Sequence, residues 1–222
     1  MSSFAFKAAI FDLDGVIANT AQYQYLSWKS LADDEGFSVP ATLGDQVRGV
    51  ARDKSLEIVL SYANRTYSAA EKETLSARKN RRYHEMISQL SADDLLPGAS
   101  ELITTLKANG VRIALASASR NARAVLTALG VMGQFDYIAD ANKITHPKPD
   151  PEIFLTAAQG LAMKPQECLG LEDSVAGVTA IKASNMFALG VGCPNRLTQA
   201  DAVVSSLREV NPEQYFALVA QV

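Results

Sequence analysis

Asp12 and Asp14 flank Leu13 in the run Phe11-Asp12-Leu13-Asp14-Gly15-Val16-Ile17, just where the apolar segment Ala8-Ala9-Ile10 ends. Side chains two apart on a strand point to the same side. The two carboxylates can therefore converge at the strand's carboxyl end, where open α/β sheets build their sites. Carboxylates this close repel each other unless a cation lies between them or one holds a proton. Gly15 lets the backbone turn away without a Cβ in the path. Taken alone, the run also fits a turn or a helix cap.

Three further groups follow other predicted strands: Ser117-Ala118-Ser119, Lys148 within Pro147-Lys148-Pro149-Asp150, and Glu172-Asp173. Singly, Ser117 reads as a cap for the next helix. Lys148 reads as a solvated loop residue, and Glu172-Asp173 as acids favoured at a helix start. Together they offer carboxylates, hydroxyls, an ammonium and a place for a hard cation. That set suits phosphoryl transfer through a carboxylate. A carboxylate is already ionised at neutral pH and needs no base to activate it. A cation on oxygen ligands, a lysine and backbone amides offset its repulsion from a phosphoryl group. A second carboxylate can protonate the leaving oxygen.

The elements that must position these groups alternate along the chain. Strands are expected over 7–11, 112–116, 135–139, 168–171, 187–191 and 202–205. Helices are expected over 99–109, 121–129, 151–160, 174–184 and 212–222. This pattern predicts an α/β fold, a doubly wound parallel sheet with a Rossmann-like core. Between the first strand and Pro97-Gly98 only helices are expected, over 23–35, 54–64 and 69–90. In the first of these, Tyr23, Leu26, Trp28, Leu31 and Ala32 form the apolar positions. The result is a core of 1–17 and 94–222 with an inserted all-α helical cap of 18–93. The cap is placed over the strands' carboxyl ends, as a lid that excludes water. Its hinges are expected near 15–20 and 95–98.

The chain has 222 residues, 48% hydrophobic and 20% charged, with a net charge of −3. No basic field argues for nucleic acid. No secretory pattern and no membrane-length apolar run is present. The two cysteines, Cys168 and Cys193, lack metal-ligand spacing and fit a reducing cytoplasm.

The order of the four groups resembles that of the haloacid dehalogenase-like phosphotransferases. Asp12 to Ile17 is similar to their first motif, Ser117 to the second, Lys148 to the third and Glu172-Asp173 to the fourth. The resemblance implies that Asp12 is the nucleophile and Asp14 the general acid/base. It implies that Ser117 and Lys148 hold the transferring phosphoryl group. It also implies Mg²⁺ bound by Asp12, the Asp14 backbone carbonyl and Asp173, with Glu172 contributing directly or from nearby.

A closer resemblance, to the bacterial beta-phosphoglucomutase family, runs almost end to end. It is carried by Phe6-Lys7-Ala8, Gly49-Val50-Ala51-Arg52 with Ser55, Arg78-Lys79-Asn80, the run 113–119, and Gly170-Leu171-Glu172-Asp173-Ser174. It implies interconversion of β-glucose 1-phosphate and glucose 6-phosphate, with β-glucose 1,6-bisphosphate as intermediate and activator. The implied partners are small sugar phosphates, with no nucleic acid and no membrane, acting on a monomer. A mutase must hold two phosphates, and a second set of anion-binding groups is present. Arg52, Ser119, Arg120 and Asn121, with Ala118 beside them, are implied to hold the non-reacting phosphate. Gly49, Val50, Ser55, Lys79 and Trp28 would line the sugar's side. By charge alone, Arg52 fits a surface cation and Lys79 a solvated helix face. The chain departs from the family's pattern at Ala18-Asn19-Thr20 and at Gln24, an amide in place of an imidazole. His146 reads as an exposed loop residue.

Overall fold

The computed structural model of the chain describes residues 5–216. Among these residues, six strands form one parallel sheet in the order β3-β2-β1-β4-β5-β6. They are β1 (Ala8–Phe11), β2 (Arg112–Leu115), β3 (Tyr137–Ile138), β4 (Cys168–Glu172), β5 (Phe187–Val191) and β6 (Ala202–Val204). The fold is thus α/β with a Rossmann-like core, as expected. The chain builds outward from β1 to β3, then returns to lay β4 on the other side of β1. The direction reverses between β1 and β4, and the sheet opens a crevice there.

Alternation along each strand explains the two covered faces. Ala9 and Phe11 of β1 join one apolar cluster, together with Ile113, Leu115, Leu169 and Leu171. Ala8 and Ile10 join the other, with Ala114, Cys168 and Ala188. The first face is covered by α5 (Ala99–Ala108) and α6 (Ala122–Ala128), the second by α7 (Glu152–Gly160) and α8 (Val175–Ala183). The expected terminal helix is corrected at Phe216: α9 spans Pro212–Tyr215 only, and Phe216 is extended and bridges Phe6. Positions 217–222 lie outside the described residues.

Between β1 and α5 stand α1 (Ala21–Asp34), α2 (Leu43–Val47), α3 (Arg52–Leu60) and α4 (Ala69–Ile87). Ser68 opens α4 with a reciprocal capping box to Glu71. These helices bury their own cluster, including Trp28, Leu31, Leu43, Leu56, Val59 and Leu75. The expected apolar face of α1 is corrected in one place. Leu26 is 43% exposed, while Ser27 is buried with its hydroxyl donating to the Gln24 carbonyl. A buried serine that satisfies its own polar group needs no apolar neighbour. The short α2 was not expected, since five residues are too few to show a period. The end of α4 leaves the insert's cluster. Tyr83, Ile87 and Leu90 pack into the main cluster beneath the sheet's first face.

The two segments joining the insert to the sheet run side by side. The Leu96 amide donates to the Ile17 carbonyl at 2.8 Å, and Ala18 bridges both Asp14 and Leu95. Because the insert has its own apolar cluster, truncating that cluster should act locally first. Leu43→Ala is expected to cost about 2–5 kcal/mol in urea denaturation. Amide exchange should rise across α1 to α3 before it rises in β1 and β4. Uniform exchange across the whole chain would contradict a separately packed insert.

Candidate active site

Asp12 follows β1 and Glu172 ends β4, so the crevice where the sheet order reverses brings them together. Lys148, from the loop after β3, lies between them. Its ammonium donates to Asp12 Oδ1 at 2.6 Å and to Glu172 Oε2 at 2.8 Å. The Lys148 side chain is 0% exposed, which rules out the solvated-loop reading. Burial opposes its charge, but Asp12 and Glu172 together hold its pKa above the ordinary value. Asp12 is pushed up, first by burial and then by Glu172, while Lys148 pulls it down.

Glu172 is fully engaged. Its other oxygen accepts from the amides of Asp173 and Ser174, both at 3.0 Å, and from the Ser174 hydroxyl at 2.9 Å. Ser174 then caps α8, accepting from the Gly177 amide. The acids thus do more than favour a helix start. They fix the helix start to Lys148.

Asp14 turns toward Thr20, which donates to it at 2.5 Å. Thr20 occupies the N-cap of α1 yet makes no side-chain cap bond there. Its single proton goes to the carboxylate. Burial raises the pKa of Asp14, against the pull of Thr20 and Lys79. Asp173 Oδ2 accepts from Arg48 at 2.7 Å, and Oδ1 is buried with no hydrogen-bond partner. Burial and Glu172 push Asp173 up to about 7, against Arg48. Asp12, Glu172 and Asp173 bring one oxygen each within 4.8 Å of one another. Hard carboxylate oxygens at this spacing, one of them unpartnered, fit a divalent cation.

A cavity of about 640 Å³, including its solvent mouth, opens in front of Asp12 and Asp14. From the insert it is lined by Trp28, Gly49, Val50, Arg52, Ser55 and Lys79, and from the core by Ala118, Ser119, Arg120 and Asn121. Gly49 has φ +70°, and a Cβ there would meet Ser174 Oγ at 2.4 Å, so the insert's backbone lies directly on the start of α8. Gly15 is as tightly placed, with a Cβ only 2.0 Å from Asp173 Oδ2. Ser117 caps no helix. Its hydroxyl accepts from the Ser119 amide, and the Ser119 hydroxyl accepts from the Asn121 amide. Ser117 and Lys148 are buried beside this cavity without lining it, and Lys148 lines a neighbouring one. Arg52 is half-buried, and its pKa is lowered by burial and then by nearby Arg120.

Lys79 does not face solvent. Its ammonium donates to Gln24 Oε1 at 2.5 Å and lies 4.5 Å from the Trp28 ring centroid and 4.8 Å from that of Tyr83. His146 is exposed, as read from the sequence, and pairs with Glu152.

Sequence reasoning missed Arg48, Asp45, Asp53 and Arg196, which join insert to core. Arg48 reaches Asp173, Arg196 links Asp45 to the Asp173 carbonyl, and Asp53 pairs with Arg120 at 2.6 Å. Asn121 donates to Asn80 at 2.9 Å. For Arg48 one signal was present, a cation directly before Gly49-Val50.

The model of the haloacid dehalogenase-like hydrolase family matches residues 6–185. The chain is 43% identical over 209 residues to beta-phosphoglucomutase of Bacillus subtilis (strain 168), covering 93% of this chain and 92% of that one. It is 30% identical over 216 residues to hexitol phosphatase B of Escherichia coli (strain K12), covering 91% and 93%. A crystal structure of beta-phosphoglucomutase from Clostridium difficile superposes with a TM-score of 0.90 at 42% identity, over 93% of each chain.

The burial of Lys79 has a measurable consequence. Burial, then Arg52, lowers its pKa from 10.5 to about 7, while Asp14 pulls the other way. Between those values the unfolded chain holds a proton that the folded protein lacks. Stability should therefore rise with pH across that window, by at most about 1.4 kcal/mol per pH unit. Below about 7 both states hold the proton and the penalty is fully present. Lys79→Met should flatten this slope in urea denaturation run between neutral and mildly alkaline pH. Equal slopes for the two proteins would contradict the buried ammonium.

Proposed function

Because the chain belongs to the haloacid dehalogenase-like hydrolase family, we propose on this premise that it is a beta-phosphoglucomutase, interconverting β-glucose 1-phosphate and glucose 6-phosphate. The observation that carries this reading is one cavity that joins Asp12 and Asp14 to a second anion-binding set, Arg52, Ser119, Arg120 and Asn121. A phosphatase needs only the first. The 43% identity to a beta-phosphoglucomutase supports the same choice over the 30% identity to a hexitol phosphatase.

Asp12 attacks the phosphorus of the C1 phosphate of the bisphosphate. A bond forms from its carboxylate oxygen to phosphorus, and the bond from phosphorus to the sugar oxygen breaks. Asp14 gives its proton to that leaving oxygen, releasing glucose 6-phosphate and an aspartyl phosphate. In the other half, the 6-hydroxyl of β-glucose 1-phosphate attacks the aspartyl phosphate and Asp14 takes the hydroxyl's proton. The bond from the Asp12 oxygen to phosphorus breaks, and the bisphosphate and the free Asp12 carboxylate re-form. Burial raises the pKa of Asp14, the direction a general acid requires. Lys148 offsets charge on Asp12 and on the phosphoryl oxygens, and Ser117 donates from the same side. Arg52, Arg120, Ser119 and Asn121 hold the other phosphate, once Arg120 exchanges Asp53 for it. Gly49, Val50, Ser55, Lys79 and Trp28 line the sugar.

Asp12, the Asp14 carbonyl and Asp173 would hold Mg²⁺, with Glu172 supporting from nearby because its oxygens are already engaged. When bound, Mg²⁺ neutralises charge on the transferring group. Residues 18–93 act as a lid on the core of 1–17 and 94–222, and closure keeps water from the aspartyl phosphate. The enzyme is read as a cytoplasmic monomer with the bisphosphate as intermediate and activator. No helix among the described residues is long and apolar enough to cross a membrane.

Phosphorus NMR of enzyme with Mg²⁺, β-glucose 1-phosphate and a trace of bisphosphate should show glucose 6-phosphate. Inorganic phosphate as the main product would support the phosphatase reading instead. Arg52→Ala should lower kcat/KM for isomerisation by about 10- to 100-fold. Chelation should abolish turnover and Mg²⁺ should restore it. Activity that survives chelation would contradict the metal site.

A further inference from the structure

The hydroxyl of Tyr83 is buried and meets no hydrogen-bond partner with good geometry. Its ring has a packing role, since it joins the main apolar cluster with Ile87 and Leu90. The hydroxyl has none. Phenylalanine would pack equally well and leave no donor unmade, and an unmade buried donor is costly. Three side chains surround the hydroxyl: Ser119, Thr20 and Gln24. They come from the core loop, the hinge and the insert.

Hydrogen-bond capacity decides how they can be joined. A hydroxyl has one proton and two acceptor sites. Thr20 spends its proton on Asp14, so toward Tyr83 it can only accept. Ser119 accepts from the Asn121 amide and keeps its own proton to donate. Gln24 Oε1 already accepts from Lys79. A directed chain is therefore open, from Ser119 to Tyr83 to Thr20 to Asp14. Each hydroxyl in it donates onward, and such chains strengthen each member.

We propose that Tyr83 is a positioning residue, whose hydroxyl completes this chain when the insert closes and so couples the non-reacting phosphate's pocket to the acid/base Asp14. The inference rests on the mutase reading of the same cavity. Because Gln24 cannot titrate, the chain orients Asp14 through fixed donors and acceptors rather than through a proton switch.

The test is Tyr83→Phe, assayed with Mg²⁺, β-glucose 1-phosphate and bisphosphate, alone and in combination with Thr20→Val. The variant keeps the ring and should retain the wild-type melting transition. Its kcat should fall about tenfold while KM changes less than about threefold, because the phosphate-gripping arginines are untouched. In the Thr20→Val background the same change should cost far less, since the chain is already cut. A kcat within about twofold of wild type, or full multiplication of the two effects, would overturn the proposal. Should the wild type release only phosphate, the mutase reading fails. The same kcat ratio, read on phosphate release, still decides Tyr83, because hydrolysis also uses Asp14.

Discussion

A single buried ammonium organises this protein. Lys148 is enclosed between Asp12 and Glu172, and the three cannot be separated cheaply. Removing one member of such a buried set leaves an uncompensated charge, at about 3–5 kcal/mol. The arrangement fixes more than itself. Glu172 spends its second oxygen on two amides and a hydroxyl at the start of α8, so the helix start and the lysine loop are tied to the end of β1. A Cβ at Gly177 would lie 1.9 Å from Glu172 Oε2, which shows how little room the carboxylate has. The site is rigid where charge must be held, and a rigid charge needs no rearrangement when a phosphoryl group arrives.

The helical insert supplies what that rigid corner lacks. It brings Arg52 and Lys79 over the cavity and anchors itself by charge at the rim, through Arg48 to Asp173 and Arg120 to Asp53. The Arg120–Asp53 pair is the exposed one of the two, and exposed ion pairs are individually weak. That suits the proposed lid, which would open for each substrate. The insert has an apolar cluster of its own, so its shape need not depend on those pairs. Arg120 shows the principle most directly, since under the proposed function a phosphate would displace the partner it holds, Asp53.

Much of the site was legible because strands end where the chemistry begins. Asp12, Asp14 and Glu172 each follow or end a short apolar run, Lys148 lies in the loop after β3, and parallel pairing then places them together. Lys79 was harder, since a lysine among Arg78, Arg81 and Arg82 looks like one more solvated charge. Only the fold shows it enclosed by Trp28, Tyr83 and Gln24. Leu26 misled in the opposite sense, as an apolar residue on a helix face that nothing covers. Arg48, Asp53 and Arg196 left almost no sequence signal, because the partners Asp173, Arg120 and Asp45 lie across the crevice and far along the chain. Tyr83 reads as a core aromatic, and its hydroxyl becomes distinctive only when its neighbours are known.

The central claim is that Asp12 carries the phosphoryl group between the two halves of the reaction. Its most direct test is peptide mass mapping of enzyme quenched in acid during turnover with the bisphosphate. The account predicts one acid-stable, hydroxylamine-sensitive phosphoryl group, and it lies on the peptide containing Asp12. A phosphoryl group found elsewhere, or isomerisation with no phosphorylated enzyme at any time, would contradict it.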